Sequence, residues 1–163
     1  MLAPMPAHPL RPVDDDFLRT APLVVRSSVD LDAPPSRVWE VLGSDEMWSW
    51  LPLIDRLEWR TPRPHAAGAV RRLRLGRFVT VDEEFYRWDV DRRATFRVAA
   101  QSRPVLDGLI EDFLLDPTDR GTRLTWTMAV APRKGAGLPL GLLAPLLRPG
   151  NTVAIGGIRK LLR

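Results

Sequence analysis

The chain has no cysteine, a single tyrosine and two histidines among its 163 residues. The missing cysteine excludes disulfides, thiolate nucleophiles and cysteine-ligated metals. His8 and His65 both sit beside prolines in loop-like sequence, and they are the whole stock for a zinc site or a histidine base. No metal and no cofactor is therefore expected, and His65 reads as a solvent-exposed loop residue. Lysine is scarce too: of 24 basic residues only Lys134 and Lys160 are lysine. No run of five like charges occurs. The net charge of +4 thus reads as a general preference for arginine, and no nucleic-acid partner is expected. No uncharged apolar run reaches the ~18 residues of a membrane-spanning helix. The N-terminal stretch has proline every few positions where an export signal has a continuous apolar core. A cytoplasmic protein is the default expectation.

What is present is an apolar fraction of 45%, enough for one domain with its own core. Residues 1–22 read as a flexible proline-rich arm, carrying Pro4, Pro6, Pro9, Pro12 and Pro22 and a solvated acidic cluster at Asp14, Asp15 and Asp16. Leu23 to Leu31 alternates as a strand, with Val25, Ser27, Val29 and Leu31 on one face. Asp32-Ala33-Pro34-Pro35 ends it and opens a short helix with Val38, Trp39, Val41 and Leu42 on its apolar side, capped by Asp32 or the turn that follows. Gly43-Ser44 breaks that helix. Ser44 or Asp45 caps a second one through Met47, Trp48 and Trp50, residues that suit core packing or the mouth of a pocket.

Strand and turn then alternate as far as Ala131. Strands are expected at Ile54–Arg60, Ala69–Leu75, Phe78–Trp88, Arg93–Ala100, Val105–Asp116 and Thr122–Val130. In the last, Leu124, Trp126, Met128 and Val130 share a face. The C-terminal region is helical and apolar, but Pro145, Pro149 and Gly150 interrupt it. It divides into a leucine-rich lid or rim at 138–148 and a final helix from Asn151, its N-cap, to Arg163. Wound at ~100° per residue, that helix places Ile155, Ile158, Leu161 and Leu162 on one side. Strand, two short helices, six strands and a helix make an α+β architecture, an antiparallel sheet covered by the terminal helix.

Three segments in this order resemble the START-like (SRPBCC) superfamily, the polyketide cyclase/dehydrase and lipid transport group. They are the first strand with Asp32-Ala33-Pro34-Pro35-Ser36-Arg37-Val38-Trp39-Glu40-Val41-Leu42, the helix Met47-Trp48-Ser49-Trp50-Leu51-Pro52, and the late strand Gly121-Thr122-Arg123-Leu124-Thr125-Trp126-Thr127. The resemblance covers roughly residues 23–163. It implies a helix-grip fold, a seven-stranded curved sheet around the C-terminal helix with an elongated apolar cavity between them. It also implies ligands such as lipids, sterols or polyketides, or cyclisation of polyketides. Fold analogy does not choose among these.

Alternate strand positions give the expected cavity wall: Trp59, Leu73, Val81, Phe85, Phe96, Val98, Phe113, Trp126 and Met128, with Ile155 and Ile158 from the helix. The same residues would equally fill a solid core. Charged residues on those faces are the sharper signal. Arg71 shares a face with Leu73, Glu83 with Phe85, and Glu111 with Phe113, while Tyr86 lies opposite Phe85. A buried arginine or glutamate must be paired, so Arg71 is expected to meet Glu83 or Glu111, or a polar ligand head. The leading expectation is binding or transport of a small hydrophobic or amphipathic molecule, with at most transient membrane contact. The alternative is a cyclase in which Arg71 stabilises an enolate and Glu83, Glu111 or Tyr86 moves a proton. A ligand-independent interaction or regulatory role is the third.

Overall fold

The computed structural model describes residues 8–49, 51, 54–76, 78–135 and 154–163. Seven long strands form one curved antiparallel sheet: β2 (Leu23–Leu31), β3 (Ile54–Trp59), β4 (Ala69–Leu75), β5 (Val79–Asp89), β6 (Arg93–Gln101), β7 (Leu106–Thr118) and β8 (Gly121–Pro132). A two-residue strand, β1 (His8–Pro9), pairs with β6 at Gln101 and Ala100. The order across the sheet is β2-β8-β7-β6-β5-β4-β3. First and last long strands are therefore neighbours, while β2 and β3 lie at opposite edges. The chain between those edges must cross the sheet, and it does so as α2 (Pro35–Leu42) and α3 (Glu46–Ser49).

Local chemistry sets the two helices. Pro35 supplies a helical φ at the first position, after an extended Pro34 that acts as N-cap without any side-chain hydrogen bond. Asp32 does not cap the helix, because it lies two residues upstream of that N-cap. Ser44 makes the corner: its hydroxyl donates to Val41 O at 2.8 Å and accepts from Met47 N at 3.3 Å. Val38, Val41 and Leu42 of α2 are buried, as are Met47 and Trp48 of α3. The terminal helix, residues 154–161, buries Ala154, Gly157 and Ile158 and exposes Gly156, Arg159 and Lys160. Ala154 and Ile158 join one core cluster with α2, α3 and the inward residues Phe96, Phe113 and Trp126. The leucine-rich segment 138–148, expected as a lid or rim, and the expected N-cap Asn151 lie outside the described residues.

The other face of the sheet is covered as well. The described part of the expected arm first runs beside β6, where Leu10 N donates to Ala99 O at 3.0 Å, and then lies against this outer face, where Val13 and Leu18 are buried against Ile110 and Ala129. Gly108 makes this approach feasible, since a Cβ there would stand 3.0 Å from the Phe17 ring. Asp15 accepts from Tyr86 Oη at 2.8 Å and from Arg87 Nη2 at 2.7 Å. The Arg87 guanidinium holds the Asp15 carboxyl below its usual range. An acid that looked like part of a solvated tail thus clips the segment carrying α1 (Phe17–Thr20) onto the sheet.

Gly121 joins the β7–β8 hairpin to the turn before α2. Its φ of +149° is accessible to glycine, and a Cβ would collide with Leu31 O and stand 2.7 Å from Ala33 N. Next to it, Thr122 Oγ1 donates to Ala33 O at 2.7 Å. Gly121→Ala is expected to lower unfolding free energy by more than about 2 kcal/mol, as measured by urea denaturation. An unchanged midpoint would mean the turn yields at no cost.

Candidate functional site

Arg71 is the centre of the inner face. It is 1% exposed, and it is directly opposite Glu83 on the neighbouring strand. Its Nε and Nη2 both donate to Glu83 Oε2, at 2.8 and 2.5 Å. Its guanidinium carbon lies 4.5 Å from the ring centre of Trp48, 5.1 Å from Phe85, 5.2 Å from Phe96 and 5.5 Å from Trp59. An arginine taken out of water is thus compensated twice, by a carboxylate and by the negative faces of four rings.

Glu111 is the third ionisable group on this face. Trp126 Nε1 donates to its Oε2 at 2.8 Å. Burial pushes the Glu111 carboxyl up to about 8, the nearby Glu83 carboxylate adds to the rise, and Arg71 and Trp126 oppose it. Burial also raises Glu83, against the pull of Arg71. The two hydrogen bonds that Arg71 donates to one oxygen of Glu83 suit a carboxylate there, and with Glu111 protonated the cluster is then electrically balanced. One cation faces one anion and one neutral acid that can donate a hydrogen bond.

Beside this cluster is a small cavity of about 20 Å³, lined by Trp39, Leu42, Gly43, Trp48, Arg71, Phe85, Trp88, Ala94 and Phe113. That volume holds about one water. Asp45, at the α2–α3 corner, ties down one side of the assembly. It accepts from Trp59 Nε1 at 3.0 Å and from Arg63 at 3.3 Å. His65 does not stand in solvent as expected. Its ring stacks on Trp59 with centres 3.7 Å apart and meets Trp88 edge-on, because the β3–β4 loop folds back over those indoles. Burial, with Arg63 nearby, lowers its pKa.

The structure therefore divides the residues singled out in the sequence. Arg71, Phe85 and Phe113 line the cavity. Trp59, Phe96, Trp126, Met128, Ile155 and Ile158 belong to the surrounding cluster, with Trp59, Met128 and Ile155 only partly buried. Leu73, Val81 and Val98 pack elsewhere, in a second cluster with Leu10, nearer the end of the sheet where β1 pairs. Tyr86 is on the opposite face, donating to Asp15, and cannot exchange a proton with Glu111. Burial and the Asp15 hydrogen bond raise its pKa.

Trp39 and Trp88 were not among the expected wall residues, yet their rings meet edge-on with centres 5.3 Å apart at the cavity. The apolar side of α2 did point to Trp39. Strict alternation along β5 would have turned Arg87 inward and Trp88 outward. The pairing register shifts between Phe85 and Arg87, so Tyr86 is the extra residue and Trp88 comes to the inner side.

A curved antiparallel sheet gripping a C-terminal helix, with two short helices crossing its mouth, defines a START-like, helix-grip protein. The chain belongs to the family described as polyketide cyclase / dehydrase and lipid transport, whose sequence profile matches residues 22–162. Uncharacterized proteins of Mycobacterium tuberculosis (Rv2574) and Mycobacterium bovis (Mb2604) are each 33% identical over 141 residues, covering 86% of this chain and 84% of their own length. Among solved structures, TTHA0849 of Thermus thermophilus superposes with a TM-score of 0.70 at 20% identity, covering 86% of this chain and 97% of that one. The Zhui aromatase/cyclase of a Streptomyces species gives 0.60 at 19% identity, covering 86% and 90%. Among the described residues no helix is long and apolar enough to cross a membrane.

Two measurements test the charge cluster. Arg71→Met leaves Glu83 buried without its cation and is expected to cost about 3–5 kcal/mol of stability, whereas Arg71→Met with Glu83→Leu should cost clearly less. Equal losses would show that the pair contributes packing alone. The folded state holds the Glu111 proton more tightly than the unfolded chain, whose carboxyl titrates near the ordinary 4.5. Stability should therefore fall as pH rises from that value to about 8. Glu111→Gln should remove this component, and an unchanged slope would place the raised group elsewhere.

Proposed function

We propose that this protein binds a small hydrophobic or amphipathic molecule, lipid-like or polyketide-like, between the inner face of the sheet and the terminal helix. The observation that carries this is the Arg71–Glu83–Glu111 cluster set among aromatic rings beside a cavity. Apolar walls favour a ligand body, and a cation with a neutral acid offers both hydrogen-bond donation and charge to a polar head. Family membership supports the same reading. The cavity is far below the ~300 Å³ of ordinary ligand sites, so entry requires the α2–α3 crossing or the terminal helix to move outward.

A second reading rests on Glu111. A carboxyl held neutral near pH 7, beside a fixed arginine, has the form of a general acid with a stabiliser for a developing enolate. The solved aromatase/cyclase with this fold accords with it. On this reading Arg71, Glu83 and Glu111 act, and Tyr86 does not.

Freshly purified protein is expected to carry an extractable apolar adduct in native mass spectrometry. It should also bind 8-anilinonaphthalene-1-sulfonate and neutral N-phenylnaphthylamine, with Arg71→Met weakening the anionic probe more. No adduct and no binding of either probe would overturn the reading. Cyclisation of an aryl poly-β-ketone mimic that is lost in Glu111→Gln would instead establish the catalytic one.

A further inference from the structure

We propose that the end of the sheet carrying the β4–β5 hairpin tip docks on an anionic lipid surface, with Phe78 as the inserted side chain. Phe78 is 72% exposed. Backbone contacts bring cations to the same end. Thr80, two residues on, exchanges hydrogen bonds with Ser102, its O accepting from Ser102 N at 2.8 Å and its N donating to Ser102 Oγ at 2.9 Å. Val105 N then donates to Arg103 O at 2.8 Å, and Arg133 N donates to Val105 O at 3.0 Å. On the other flank Arg56 pairs with Arg74, two residues before the tip glycine Gly76. Arg56, Arg103, Arg133 and Lys134 are all exposed.

Among the described residues, twelve of the twenty arginines have an acidic partner: Arg19, Arg37, Arg60, Arg63, Arg71, Arg72, Arg74, Arg87, Arg93, Arg97, Arg120 and Arg123. The four cations around Phe78 have none among the described residues. Asp55 is taken by Arg74, which leaves Asp107 as the exposed acid nearby.

The opposite end provides an internal contrast. Val90 is also exposed, at 65%, on the β5–β6 hairpin tip. The eleven residues of β5 separate the two tips by roughly 35 Å. Val90 stands between Asp89 and Asp91, which an anionic surface would repel. The Val90 tip therefore mixes its two acids with the exposed Arg92, whereas the exposed charges at the Phe78 end are mainly cations.

A single projecting aromatic amid separated cations suits a lipid interface, where the ring enters the headgroup layer and each cation is attracted to anionic headgroups. A protein partner would be served by a contiguous apolar patch, and a nucleic-acid strand by a groove with several stacking rings.

The test is co-sedimentation of the full chain with phosphatidylcholine vesicles, with and without phosphatidylglycerol. Binding is expected only with the anionic lipid, and it should weaken as salt rises. Phe78→Ala and Arg103→Glu with Arg133→Glu should each weaken it on the order of tenfold or more, while Val90→Ala should not. These side chains are exposed, so thermal unfolding should be unchanged and would expose any variant that misfolds. Absence of binding to anionic vesicles, equal binding by the Phe78 variant, or equal loss with Val90→Ala would overturn the proposal. So would retention of the protein by homopolymeric RNA but not by vesicles.

Discussion

A guanidinium 1% exposed inside an apolar sheet is the constraint around which this protein is arranged. Arg71 cannot be deprotonated, so its charge must be met where it stands. Strand pairing meets it first, by placing Glu83 directly across the ladder. Rings brought from three directions meet it next: Trp59 from β3, Phe85 and Phe96 from β5 and β6, and Trp48 from the helices that cross the sheet. The cation thereby couples the crossing helix to four strands. Glu111 completes the balance by remaining protonated, since a second carboxylate here would face Glu83 with no second cation.

The crossing helices matter for a topological reason. Because β2 pairs with β8 while β3 forms the far edge, the connection between them has to pass over the inner face. That puts Trp39 and Trp48 opposite residues far away in sequence and leaves a gap sized for about one water. The outer face is governed by a separate network, in which Asp15 engages Tyr86 and Arg87, and Asp112 accepts from Arg93 and Thr95. The two faces thus carry charge groups of different kinds. The inner group is enclosed by rings, and much of the outer one is tied to the docked N-terminal segment.

Much of the fold was legible because it rests on local signals. Pro34-Pro35 and Gly43-Ser44 bound α2, and the alternation of Leu124, Trp126, Met128 and Val130 set the inward face of β8, although Thr127 and Ala129 on its other face are buried too. Sharing of a face by Arg71 and Leu73, and by Glu83 and Phe85, pointed to a buried pair before any coordinates. Legibility failed at the irregularities. The bulge at Tyr86 reverses the alternation for Trp88, a long-range register effect that two-residue periodicity cannot carry. His65 was misread because proline-rich sequence marks a loop but not where the loop lies.

Composition and pattern by themselves did not show the short strand and helix at His8–Pro9 and Phe17–Thr20, but they determined the order of elements from Leu23 onward, the class of fold, the absence of thiol chemistry and the need for a partner to Arg71. These follow from backbone sterics, side-chain periodicity and the cost of burying charge, all readable along the chain. Tertiary structure decided which carboxylate pairs with Arg71 and which stays protonated. It also separated Leu73, Val81 and Val98 from the cavity, moved Tyr86 out of reach and left Phe78 exposed beside the β4–β5 turn. Each of these depends on distances between residues remote in sequence, which strand register and the packing of crossing helices alone fix.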